Sequence, residues 1–232
     1  MSTSFWKSGH TPTLFSAFLY FDISFMVWYL LGPLAVQIAT NLELDAQQRG
    51  IMVATPILSG ALLRLLLGFL ADRLSPKLAG VIGQLIVILS LSIAWLLGID
   101  SYEQTLLLGL GLGFAGASFA VALPLASQWY PPEHQGTALG IAGAGNSGTV
   151  LAALFAPGLA YLFGWQNVFG LALIPLSITL LVFLLLARNA PDRPPPAALA
   201  DYARALRNTD SAWFMFFYSV TFGGFIGLAS AL

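Results

Sequence analysis

Long apolar runs separated by short polar interruptions make up nearly the whole chain. Six complete runs extend from Leu14 to Ala39, Gly50 to Ala71, Leu78 to Leu97, Thr105 to Ser127, Gly136 to Phe163 and Val168 to Ala187, and another starts at Trp213 and reaches Leu232. A helix rises about 1.5 Å per residue and the hydrocarbon core of a bilayer is about 30 Å thick, so about 20 mostly apolar residues span it. The runs are continuous, whereas barrel strands are segments of about 10 residues with alternating polarity. The pattern predicts an all-α, polytopic membrane protein. The first run is too long for the core of a signal peptide and is read as a retained span.

The interruptions set an orientation. Lys7 precedes the first run, Arg73 and Lys77 lie between the second and third, and Arg188, Arg193, Arg204 and Arg207 follow the sixth. The alternate loops carry Glu43, Asp45, Asp100 and Glu103, with Arg49 as their cation. Basic residues concentrate in cytoplasmic loops, which places the N-terminus in the cytoplasm. Residues 1–187 form a six-helix bundle on this reading. Residues 188–212, with Pro191, Pro194, Pro195 and Pro196, form a cytoplasmic linker, and residues 213–232 start a second bundle. Such a layout fits a chain built from two parallel halves.

Composition agrees. Charged residues are 8% of the chain and hydrophobic residues 58%, against about 25% charged in a soluble domain, too little charge to cover a water-facing surface. The net charge of -1 gives no reason to expect nucleic acid. Cysteine is absent, which removes disulfides and thiolate metal sites.

Polar residues inside the runs are the candidate chemistry. Arg64 lies about two helical turns, or about 12 Å, inside Asp72. A charge at that depth costs at least about 2.5–3.5 kcal/mol and does not face lipid alone. It either pairs with Asp22, the other deep charge, or faces a cavity and binds an anion, for which a planar guanidinium suits a planar oxyanion; the residues alone weigh these equally. Asn146 also needs a partner or a ligand. Gly111 to Gly116 satisfies G-x-G-x-x-G, but no strand precedes it, so close helix packing is the better account. His10 and His134 lie outside the runs. Asp22 is either a proton carrier or a group near the cytoplasmic mouth.

The segment Gly68-Phe69-Leu70-Ala71-Asp72-Arg73-Leu74-Ser75-Pro76-Lys77 resembles the signature G-x-L-A-D-R-x-G-R-K between the second and third helices of the major facilitator superfamily. It matches at Gly68, Leu70, Ala71, Asp72, Arg73 and Lys77 and departs at Ser75 and Pro76. Within that superfamily, Gly143 to Gly148 resembles the G-x-G-N-x-G signature of the nitrate/nitrite porters. Ser59-Gly60-Ala61-Leu62-Leu63-Arg64 is similar to their S-G-A-L-L-R run, Ala117 to Ala120 to their fourth-helix phenylalanine segment, and Phe217 to Gly227 to their seventh-helix tyrosine segment.

The resemblance implies a six-helix N-terminal bundle of the major facilitator fold plus a partial seventh helix, moving nitrate or nitrite across the inner membrane by alternating access. It implies Arg64 as the charge partner of the anion, Tyr218 and Asn146 as donors, and Phe119 as an apolar wall. Gly143, Gly145 and Gly148 would let backbone approach the substrate, and Gly68, Asp72 and Arg73 would form the conformational loop. Tyr218 is equally placed for an interfacial belt. No catalytic residue, metal or cofactor is implied. The family's second substrate arginine lies in a second bundle beyond this sequence, so the chain is expected to be a fragment, a truncated product or one separately encoded half. The partners expected are the anion, the bilayer and a second six-helix half. A facilitator for another small anion or drug-like solute, and a non-transporting half-subunit, stay open as alternatives.

Overall fold

Proline and glycine decide where the apolar runs bend. In a computed structural model, which describes residues 4–193 and 195–231, the first run is divided into α1 (Thr11–Trp28) and α2 (Ala35–Asn41). Gly32 and Pro33 fall in the turns between them, where proline lacks the N–H that a continuing helix needs. α3 (Ala46–Arg73) opens on a capping box, with Gln48 N–H donating to Asp45 Oδ1 at 2.8 Å and Asp45 N–H to Gln48 Oε1 at 3.0 Å. α4 (Pro76–Leu97) starts with Ser75 capping Leu78 and proline in its first turn. The fourth run is α5 (Tyr102–Gly116) and α6 (Phe119–Ser127). The fifth is α7 (Pro132–Gly143), a 3-10 turn (Ala144–Ser147) and α8 (Gly148–Phe163). Gly164, at φ 82°, then turns the chain into α9 (Trp165–Leu186).

No strand occurs among the described residues, and the fold is all-α as the pattern predicts. Five helical stretches, Ala46–Arg73, Pro76–Leu97, Tyr102–Ser127, Pro132–Phe163 and Trp165–Leu186, are long and apolar enough to cross a membrane. Their outward faces are apolar too: Leu65 is 76% exposed and Leu62 71%. An exterior of leucine is stable against lipid tails, where helices satisfy their own backbone groups.

α1 is the axle of the unit, packed against α5, α6, α7, α8 and α9. Its polar groups are matched as they are buried. The Tyr20 hydroxyl donates to the Gly80 carbonyl at 3.3 Å, and the Trp28 indole donates to the Pro56 carbonyl at 2.7 Å. α3 and α5 cross closely because Gly109 and Gly113 carry no side chain, and Gly116 leaves the same room for Trp28 of α1. A Cβ at Gly109 would sit 3.0 Å from Thr55 Cγ2, and one at Gly116 would sit 2.5 Å from Trp28 Nε1. Gly111 faces Ser90, so the G-x-G-x-x-G segment is a packing stripe in the folded chain. Gly68, by contrast, lies in ordinary contact with Ala120, 3.8 Å from a notional Cβ.

The described residues divide into two compact units at Arg193. In the first, residues after α9 are tied back to the bundle. Arg188 N–H donates to Thr13 Oγ1 at 2.9 Å, the Trp129 indole donates to the Arg188 carbonyl at 2.8 Å, and Arg193 donates to the Leu74 carbonyl at 2.9 Å. Lys77 Nζ donates to the Leu184 carbonyl at 2.8 Å. The second unit holds α10 (Leu199–Arg207), with an exposed Asp201–Arg204 pair at 3.0 Å, and α11 (Thr209–Ala231).

His10 caps α1, its Nδ1 accepting the Thr13 N–H at 3.2 Å, and its ring lies 4.9 Å from Trp129. Burial, then the Arg188 charge, hold the imidazole below its usual 6.5. The folded chain therefore binds fewer protons than the unfolded one, so the cap's contribution is full above 6.5 and is lost as pH falls below that value. Thermal stability of the purified chain should fall on acidification through this range, and His10→Gln should flatten the dependence.

Candidate substrate site

A helix break supplies the partner of the buried cation. α5 ends at Gly116 and α6 begins at Phe119, so the Gly116 carbonyl is among the last of its helix and needs a donor. Arg64, half-buried on α3, donates from Nη2 to that carbonyl at 3.2 Å. Its Cζ lies over the Phe119 ring, 5.2 Å from the centroid. The carbonyl and the aromatic face both favour a cation, through lone pairs and ring quadrupole. Two of the residues singled out in the sequence, Arg64 and Phe119, are thus brought together, on helices fixed by the glycine stripe of α5.

Phe119 in turn packs edge-on against Phe21 of α1, with centroids 5.6 Å apart. The 3-10 turn of the fifth run lies on the same part of α1. A Cβ at Gly145 would be 2.6 Å from Phe21 Cδ1, and one at Gly148 would collide with the Asp22 carbonyl. Gly145 and Gly148 therefore let the turn lie on α1. Gly143 has nothing within 4 Å of its notional Cβ and is the open glycine of the three. Asn146 sits in the turn with a buried Oδ1 that has no hydrogen-bond partner among the described residues.

Asp22 is 7% exposed and accepts a hydrogen bond from Ser147 Oγ at 2.6 Å. No Arg64–Asp22 ion pair forms among the described residues, so the pairing weighed from the sequence gives way to a carboxyl held by a neutral donor. Ser147 and Phe21 were not singled out as site residues in the sequence. Ser147 was legible as the polar residue beside Asn146; Phe21 carried no signal apart from its hydrophobicity.

The other expected residues are placed singly. Arg73 lies over the Phe69 ring at 5.1 Å, and Asp72, half-buried, ends α3 beside it. Tyr218 belongs to the second unit, on α11, where its ring stacks on Phe222 at 5.1 Å.

The first unit is thus an all-helical bundle of membrane-spanning helices with a cation placed at a helix break. The chain belongs to the major facilitator superfamily: the family model described as "Major Facilitator Superfamily" matches residues 17–232. It is 34% identical over 215 residues to "Probable nitrate/nitrite transporter NarK2" of Mycobacterium tuberculosis, covering 90% of this chain and 54% of that protein. It is 30% identical to "Nitrite extrusion protein" of Bacillus subtilis, covering 87% and 51%. With "Probable nitrate/nitrite antiporter NarK1" of Thermus thermophilus it shares 32% identity over 92% and 51%. The chain spans about half the length of the curated relatives it matches. The resemblance carried by the four sequence segments is thereby borne out. The fold is also that of a crystal structure of a bacterial homolog of the human lysosomal transporter Spinster in an inward-facing and occupied conformation. That likeness has a TM-score of 0.68 at 21% identity, over 85% of this chain and 48% of that one.

The three glycines should respond differently to a methyl group. Gly143→Ala should leave thermal stability of the detergent-purified chain unchanged. Gly145→Ala and Gly148→Ala should lower it, each by about 1–3 kcal/mol as expected for overpacking, with Gly148→Ala the worse. Equal tolerance at all three positions would contradict the close crossing of the turn over α1.

Proposed function

We propose that the transporter to which this chain contributes carries nitrate or nitrite by alternating access, with the first unit as one of its two bundles. The observation that carries this reading is Arg64 held between the Gly116 carbonyl and the Phe119 ring, on the same unit as the glycine-flanked Asn146. A small oxyanion needs few donors in a narrow, largely apolar site. The guanidinium supplies charge in a planar fork, Asn146 supplies an amide, and Phe119 bounds the flat face of the anion while keeping water from it. The family resemblance gives Tyr218 the part of a hydroxyl donor. The remaining half of the site comes from a second bundle, in the same longer protein or a partner chain.

The loop of Gly68, Asp72 and Arg73 acts in the conformational change, and Gly143 is the glycine at which backbone approaches the anion. The protein is a carrier and not an enzyme. It resides in the cytoplasmic membrane with its N-terminus inside, as the basic residues of alternate loops indicate.

Arg64→Lys in the full-length transporter tests the assignment. Lysine keeps the charge but loses the planar fork and the stacking surface, so nitrate uptake into proteoliposomes should fall about tenfold or more, equivalent to about 1.4 kcal/mol. Unchanged uptake would remove Arg64 from the site.

A further inference from the structure

We propose that Asp22 is a proton-binding site and that the Ser147 hydroxyl passes its protonation state to the turn that carries Asn146. The proposal rests on the transport reading only in that the turn is taken to face the substrate.

The geometry is that of one donor shared between two acceptors. Ser147 Oγ lies 2.6 Å from Asp22 Oδ1 and 2.9 Å from the Ala144 carbonyl. A hydroxyl has a single proton to give. When Asp22 is ionised, that proton is drawn to the carboxylate, as a charge-assisted bond is the stronger. When a hydronium ion gives a proton to the carboxyl, the new O–H donates to Ser147 Oγ. The Ser147 hydroxyl is then released to the Ala144 carbonyl, closing the 3-10 turn of Ala144–Ser147 from within. Asn146 is the residue next to Ser147 in that turn. The carboxyl O–H forms as an O–H bond of a hydronium ion breaks, and no other covalent bond changes.

The surroundings allow the neutral acid to be populated. Asp22 is 7% exposed in the middle of α1, and its hydrogen-bond partner there is neutral, the Ser147 hydroxyl. The elements packed on α1 bring no charge to it among the described residues. α6, α9 and the 3-10 turn contain no titratable side chain. Tyr102 and Glu103 stand in the first turn of α5, Glu133 and His134 in the first turn of α7, and Tyr161 in the last turn of α8. On α1 itself Tyr20 is turned to the Gly80 carbonyl, and Arg64 of α3 is engaged with Gly116 and Phe119. Ser147 is exposed on the surface of the unit while the carboxyl behind it is buried.

Infrared difference spectroscopy of the whole chain in lipid nanodiscs, stepped in pH without nitrate, reads the carbonyl stretch of a protonated carboxylic acid. The expected result is a titrating band that disappears in Asp22→Asn, moves in Asp22→Glu, and shifts in frequency in Ser147→Ala, which removes the hydrogen-bond partner. A spectrum that none of the Asp22 substitutions changes would overturn the proton site, and a band that Ser147→Ala leaves unshifted would overturn the link to the turn. Asp22→Glu and Ser147→Ala keep the test open if Asp22→Asn does not fold. Because no anion is present, this result is independent of whether the full-length transporter carries nitrate.

Discussion

A guanidinium placed at depth in an apolar bundle must find partners there, and the arrangement of the first unit follows from how Arg64 finds its own. The Gly116 carbonyl can accept from it only because α5 stops at that residue. α3 comes close to that carbonyl because Gly109 and Gly113 remove the side chains that would hold the two helices apart. The same break that frees the carbonyl starts α6 at Phe119 and sets its ring beneath the guanidinium.

The second polar group obeys the same constraint through different chemistry. Asp22 is held by a hydroxyl on a turn that lies against α1, where Gly145 and Gly148 leave room for nothing but hydrogen. The glycine-rich stretch that reads as a substrate signature in sequence is thus also the contact surface between α1 and the fifth run. Phe21 joins the two polar centres, touching Gly145 on one side and the Phe119 ring on the other.

Much of this was legible in the chain itself. The apolar runs, their helical form and the depth of Arg64, Asp22 and Asn146 follow from counting residues against the thickness of a bilayer, a one-dimensional measure. The Gly111 to Gly116 segment was also correctly read as packing, since the strand that a dinucleotide site requires was missing. The division of the first run at Gly32 and Pro33 was not anticipated, although both breakers stand in the sequence, because hydrophobic length alone does not register backbone geometry.

Sequence by itself determined the solvent this protein must live in, its helical class and the identity of the few polar residues that the membrane would otherwise penalise. Tertiary structure alone decided their partners. Arg64 and Asp22, the only two deep charges of opposite sign, look like a natural pair on paper. In the fold Arg64 meets a carbonyl 52 residues away and Asp22 a hydroxyl 125 residues away. Those partners depend on where helices cross and where they break, and the glycines that permit each crossing do not announce in sequence which neighbour they will admit.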